Sequence, residues 1–192
     1  MDDLFFIIPS VVIGYSLYNN DRILLESIHR SNSLDYAVSI FNTFGEGAFI
    51  LSVCGIISAI GDKKEQKVVK ASVFSFIETG AIVQIIKHIT GRERPKSEPN
   101  IWHGPSLNYD SFPSGHVATI SSFCAVLANE YEYGFLSYIL IPIVAFARVY
   151  DNQHWPSDAF LGAIIGILIG NFNAKNINIE TKNDVFYVFT KI

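Results

Sequence analysis

The sequence predicts an all-α fold, a multi-pass membrane bundle of about six helices. Three observations lead there. Of the 192 residues, 49% are hydrophobic and only 17% are charged, against about a quarter charged in ordinary soluble domains. The apolar residues gather into about six runs separated by short polar islands. The last run carries Gly162, Gly166 and Gly170 at four-residue intervals, a small-residue stripe that lets membrane helices pack closely. Most runs are shorter than the roughly 20 residues a spanning helix needs, so a soluble helical bundle is the competing fold. The shortage of charge, and polar flanks that extend several runs to the interface, favour the membrane.

The first run, residues 4–18, follows Asp2 and Asp3. A secretory leader would begin with positive charge, so the run is expected to stay as a membrane helix, interrupted by Pro9. Residues 19–35 are polar with Ile23, Leu24 and Ile28 at helical spacing, as in an interfacial helix. His29 and Arg30 are expected on its solvated face. An apolar run over 47–61 and a charged turn over 61–67 lead into a helix over 68–90. That helix carries Glu78 and Gln84. Glu78 stands nine positions before Lys87, on the opposite side of the helix and roughly 13 Å along its axis. It is therefore expected to hydrogen-bond another helix rather than join Lys87.

The segment 95–111 is a loop with Trp102, His103 and Tyr109, long enough to serve as a lid or binding element. Apolar helices over 117–129 and 135–147 flank a turn at 130–134, and a last helix covers 159–172. The tail from Asn176 alternates weakly and is expected to form a short hairpin or edge strand. Cys54 and Cys124 lie inside apolar runs, where a thiol behaves as a small hydrophobe. No ligand set for a metal is visible. A net charge of -4 gives no support for nucleic-acid binding.

Three polar islands hold the chemistry. In the first, Lys87, Arg92 and Arg94 crowd a helix end that Gly91 and Pro95 terminate. In the second, Ser111-Phe112-Pro113-Ser114-Gly115-His116, Pro113 stops any helix from the N-terminal side and Ser114 is a good N-cap for the next. The N–H groups of Gly115 and His116 then point out of a helix N-terminus, which favours an anion. In the third, Arg148 precedes His154 and Asp158, with Pro156 and Ser157 marking a helix start between them. A carboxylate four residues after a histidine can hold the imidazole in one tautomer. Together these islands have what is needed to grip and cleave a phosphate ester.

The spacing Lys87, six residues, Arg94-Pro95, then Pro113-Ser114-Gly115-His116, then Arg148, five residues, His154, three residues, Asp158 resembles the three-part signature of the type 2 phosphatidic acid phosphatase superfamily. That superfamily includes lipid phosphatases, soluble acid phosphatases and vanadium haloperoxidases. The third motif departs from the usual pattern in having Ala147 where a serine is common, which removes one hydroxyl from the phosphate site. The resemblance implies one phosphatase domain over 1–192, with a tail over 173–192, hydrolysing a lipid phosphate or diphosphate without a cofactor. It implies His154 as nucleophile, Asp158 as its orienting partner, and His116 as acid and then base. Lys87, Arg94, Arg148, Ser114 and Gly115 would bind the phosphoryl oxygens. Arg92 either joins them or faces water.

Two other classes stay open: a soluble acid phosphatase or haloperoxidase of the same superfamily, and a membrane protein that binds or transports an anion without turnover. If successive runs cross the bilayer, all three islands fall on one side and Lys63, Lys64 and Lys67 on the other. The positive-inside rule then sets the site outside the cytoplasm, in a bacterial inner membrane with the site facing the periplasm or exterior. The expected partners are the lipid substrate and membrane lipids.

Overall fold

The computed structural model describes residues 2–95 and 100–177, and no strand occurs among them. Seven α-helices follow in order: α1 (Asp2–Glu26), α2 (Asn32–Phe44), α3 (Gly47–Ile60), α4 (Lys63–Thr90), α5 (Gly115–Glu130), α6 (Leu140–Tyr150) and α7 (Pro156–Asn176), with a 3-10 helix (Gly134–Ile139) before α6. The hairpin expected in the tail lies beyond Ile177, outside the described residues. Helix α7 takes in residues 173–176, the first of the segment expected to be tail.

Helix α5 is the centre of the bundle. Val117, Ile120, Phe123, Cys124 and Val126 are buried, and so are Thr119, Ser121 and Ser122 between them. A helix enclosed on every side needs no amphipathic stripe. Around it stand α4, α6, α7 and the 3-10 helix. The glycine stripe explains how near α7 comes: a Cβ on Gly162 would meet the Ser114 carbonyl oxygen at 2.5 Å, and one on Gly170 the Ser122 carbonyl oxygen at 2.2 Å. Glu78 on α4 accepts a hydrogen bond of 2.6 Å from Asn173 on α7, the interhelical role its phase on α4 predicts.

Helices α4 and α7 are each long and apolar enough to cross a membrane; α2 and α3 qualify only as a pair, bent by 57°. Ile77, Ile85 and Ile89 on α4 are each more than half exposed, which suits lipid and not water. Gly45, at the bend between α2 and α3, lies against the active end: a Cβ there would stand 2.8 Å from that of His116.

Several element boundaries differ from expectation, each for a local reason. Pro9 does not interrupt α1, which runs through it. The interfacial helix expected over 19–35 is two pieces, the end of α1 and the start of α2. Arg30, between them, donates to Asn152 Oδ1 at 2.7 Å, so its head is tied to the α6–α7 turn although the side chain is exposed. Helix α4 starts at Lys63 because a capping box forms there: Asp62 Oδ1 accepts from the Lys64 N–H at 3.0 Å and Glu65 Oε2 from the Asp62 N–H at 3.2 Å. The run over 135–147 divides because Pro142 has no N–H to donate back to residue 138; beginning the α-helix at Leu140 puts the proline in a first turn, where that donor is not needed.

The close α5–α7 contact makes a stability prediction. A Cβ on Gly166 would sit 2.1 Å from the Ala118 carbonyl oxygen, whereas one on Gly55 meets nothing within 4 Å. Gly166→Val should cost at least about 2 kcal/mol, and Gly55→Ala should leave stability unchanged or slightly raised. Thermal unfolding in detergent checks this; equal melting temperatures for the two variants would refute the packing described.

Candidate active site

The three islands meet at one end of the bundle, where α4 ends and α5 and α7 begin. Gly91 closes α4 in the left-handed conformation, φ 53° and ψ 48°, and its N–H returns to the Lys87 carbonyl. A Cβ there would be 2.2 Å from the Gly104 carbonyl oxygen, so the loop can fold back only over a glycine. The strip after it pairs with the far limb of the loop: the Glu93 N–H donates to the Ile101 carbonyl and the His103 N–H to the Gly91 carbonyl, both at 3.0 Å. The Ser111 N–H then reaches the Arg92 carbonyl at 3.0 Å. These contacts fix where Asp110 and Ser111 lie.

The cations gather around that loop. Lys87, buried at the end of α4, donates from Nζ to the Asp110 carbonyl. Arg94 grips the Asp110 carboxylate with Nε and Nη2, each at 2.9 Å, and reaches Gln153 with Nη1. Burial by itself would raise the Asp110 carboxyl, but Arg94 and Lys87 hold it below the ordinary carboxylate range. Arg148, in the last turn of α6, donates from Nη1 to Asn42 Oδ1 at 3.2 Å. Among the described residues its Nε finds no partner, and neither does the buried Ser114 Oγ. Ser114 is the N-cap residue of α5, as expected, yet its hydroxyl does not cap the helix. The Arg148 Nε and the Ser114 hydroxyl are thus buried donors left for an anion.

His154 sits in the α6–α7 turn, outside both helices, and is 2% exposed. Its backbone N–H is held by the Arg148 carbonyl at 3.3 Å. Its Nδ1 is 2.6 Å from the Ser111 carbonyl oxygen. A carbonyl only accepts, so Nδ1 carries the proton and Nε2 has the free lone pair. Burial pushes this imidazole below its ordinary pKa, against the pull of the Asp158 carboxylate, which favours the neutral form.

Asp158 stands at ion-pair distance from His154, its Oδ2 3.8 Å from Nδ1. Oδ2 also accepts from Ser111 Oγ at 2.6 Å and from the Trp155 N–H at 3.0 Å, the latter capping α7. The nearer acceptor for Nδ1 is the Ser111 carbonyl, so Ser111 joins Asp158 in orienting the ring. Arg92 departs from both positions expected of it. It neither lines the phosphate site nor faces water, being fully buried and paired with Asp21 and Asp158.

Residues not anticipated from sequence complete the site: Asp21, Asn42, Asp110, Ser111 as orienting residue, and Gln153. A carboxylate in so charge-poor a chain, placed at the end of an apolar run, was a signal for Asp21. The others are uncharged or sit in loops and have no signal of spacing. His116, in the first turn of α5, packs against the α2–α3 bend at Gly45. Gly115 faces Val83 of α4, with room for a Cβ at 3.7 Å.

Known proteins resemble this chain in sequence and in fold. Residues 69–180 match the model of the PAP2 superfamily. The chain is 31% identical over 130 residues to a decaprenylphosphoryl-5-phosphoribose phosphatase of Mycobacterium tuberculosis, a match covering 66% of this chain and 71% of that protein. It is 33% identical over 96 residues to a lipid A 1-phosphatase of Porphyromonas gingivalis, where the match covers 47% of this chain and only 20% of the relative. The fold superimposes on the crystal structure of a transmembrane PAP2 type phosphatidylglycerolphosphate phosphatase from Bacillus subtilis with a TM-score of 0.68 at 20% identity, covering 90% of this chain and 91% of that one. With its apolar helices and this likeness, the protein is a multi-pass membrane protein. By the family match, and by the three motifs at one end of the helical bundle, the chain belongs to the PAP2 superfamily.

Proposed function

We propose that this protein hydrolyses a lipid phosphate or diphosphate through a phosphohistidine. The observation that carries the proposal is the buried His154 with Nδ1–H held by Ser111 and Nε2 left as the nucleophilic lone pair. Nε2 attacks phosphorus in line as the bond to the lipid oxygen breaks, and His116 delivers a proton to that oxygen. His116 then takes a proton from the water that displaces phosphate from His154. Lys87, Arg94 and Arg148, with Ser114 Oγ and the Gly115 N–H, hold the non-bridging oxygens through both steps. The three cations supply the positive charge that a bound metal would supply elsewhere, so the proposed reaction is metal-independent.

The lipid side of the proposal rests on what surrounds this end. A mostly apolar groove of about 670 Å³ runs between α1 and α7, lined in part by Tyr18, Trp102, Phe112, Leu161 and Leu168. Trp102 lies 5.2 Å from Phe112 and 6.1 Å from Tyr18, ring centre to ring centre. Aromatic side chains of this kind suit the headgroup level. Relatives named for phosphorylated lipids point the same way.

One assay tests substrate and nucleophile together: phosphate release in detergent from a lipid phosphate and from a soluble sugar phosphate. The lipid should be preferred by at least about a hundredfold in kcat/KM, and His154→Ala should lower turnover at least about a thousandfold. Equal cleavage of both substrates would remove the lipid assignment. Near-normal turnover by folded His154→Ala would remove the nucleophile.

We further propose that the site faces the periplasm or exterior of a bacterial inner membrane, because Lys63, Lys64 and Lys67 lie at the other end of α4 from Lys87. The native cysteines are buried, so added ones report sidedness. A membrane-impermeant thiol reagent applied to intact cells should label Leu107→Cys and spare Lys64→Cys. The reverse pattern would invert the orientation.

A further inference from the structure

We propose that Asp21, on α1 and outside the segment that matches the family model, is a positioning residue for His154. The proposal rests on the phosphohistidine mechanism above and adds to it a helix with none of the three motifs.

Asp21 is 2% exposed. Its Oδ1 accepts from the Ser157 N–H at 2.8 Å and its Oδ2 from Arg92 Nη2 at 2.6 Å, with the Ser157 hydroxyl also donating to Oδ2. The Ser157 N–H belongs to the first turn of α7, where the helix itself offers no acceptor. Asp21 therefore caps, from another helix, the turn that carries Asp158. Its negative charge also suits that helix end.

Arg92 closes the arrangement. Nη1 donates to the Ser157 hydroxyl at 2.8 Å and to Asp158 Oδ1, while Nη2 holds Asp21. The guanidinium stands between two carboxylates that would otherwise repel each other, and the rings of Tyr18, Trp102 and Trp155 lie around it at 5.3, 4.8 and 5.4 Å. Ser111 is gripped from two sides: its N–H by the Arg92 carbonyl, its hydroxyl by Asp158. Its carbonyl in turn holds His154 Nδ1. A fully buried charge tolerates no loose partner. Removing the charge of Asp21 lets Arg92 re-centre on Asp158, and the displacement passes to Ser111 and so to the imidazole.

A group that only stabilised the fold would change how much protein is folded. A positioning residue changes kcat of each folded molecule more than KM, because Asp21 bonds Arg92 and Ser157 and none of the phosphate ligands Lys87, Arg94 and Arg148. The experiment compares wild type, Asp21→Asn and His154→Ala, purified in detergent, with rates counted per folded molecule. Asp21→Asn should lower kcat at least fivefold with KM within threefold. A smaller fall in kcat, or a loss that appears in KM instead, overturns the proposal. His154→Ala separates the two ideas: if it is inactive while Asp21→Asn works normally, the positioning role fails and the mechanism stands; if His154→Ala is active, the mechanism itself fails. Should Asp21→Asn not fold, Ser157→Ala decides, since it removes the hydroxyl linking Arg92 to Asp21 and leaves both ion pairs. It should lower kcat at least threefold at unchanged KM, and a smaller fall overturns the proposal.

Discussion

The interaction on which the rest depends is the buried pairing of Arg92 with Asp21 and Asp158. A guanidinium without exposure must keep its partners, because breaking a buried pair costs roughly 3–5 kcal/mol, mostly from the charge left unpaired. The three groups come from α1, from the loop after α4 and from the first turn of α7. Their pairing therefore fixes three parts of the chain relative to one another at the end where the chemistry lies. Helix α1 also meets α7 by apolar contact, as where a Cβ on Gly14 would be 3.0 Å from Leu161. Close contact of that kind sets distance but not register, whereas hydrogen bonds to Ser157 set both.

Around this anchor the site divides its charges by task. Arg92 is taken up by Asp21, Asp158, Ser157 and Asn100 and serves the architecture. Lys87 and Arg94 are arranged on one loop residue, Asp110, through its carbonyl and its carboxylate. Arg148 keeps a buried Nε without a partner among the described residues. The histidine needs no carboxylate in contact to choose its tautomer, since a backbone carbonyl at 2.6 Å does so. A carboxylate that bonded Nδ1 directly would stabilise imidazolium and raise its pKa. Asp158 at 3.8 Å is a counter-charge for the cation that the proposed transfer of a phosphoryl group to Nε2 would form.

Much of this was legible in the sequence, because the signal was local. Lys87, Arg94, Ser114, Gly115, His116, Arg148, His154 and Asp158 stand in short segments whose helix stops and starts are written in Gly91, Pro113 and Pro156. Shortage of charge gave the membrane bundle, and helical phase gave Glu78 its partner on another helix. What was not legible was either long-range or ambiguous in period. Asp21 meets Arg92 across 71 positions and Ser157 across 136, and no periodicity reports such a pairing. The Ser111 carbonyl belongs to a backbone, so side-chain patterns pass over it, and the spacing of His154 and Asp158 in sequence pointed to the ion-pair partner alone. Helix α2 was missed because 36–46 mixes polar and apolar residues; its Tyr36 is exposed and its Val38 buried against α6. Arg92 was left between joining the phosphate ligands and facing water, whereas the pairing with Trp102 turns it inwards and leaves Arg94 partly open.

The central claim is that the neutral, oriented imidazole of His154 takes the phosphoryl group. Rapid alkaline quenching during turnover of a radiolabelled lipid phosphate, followed by peptide mapping, tests it most directly, since phosphohistidine survives base. The account predicts an acid-labile, base-stable label on the peptide containing His154. Label on another residue, or none while turnover proceeds, would contradict it.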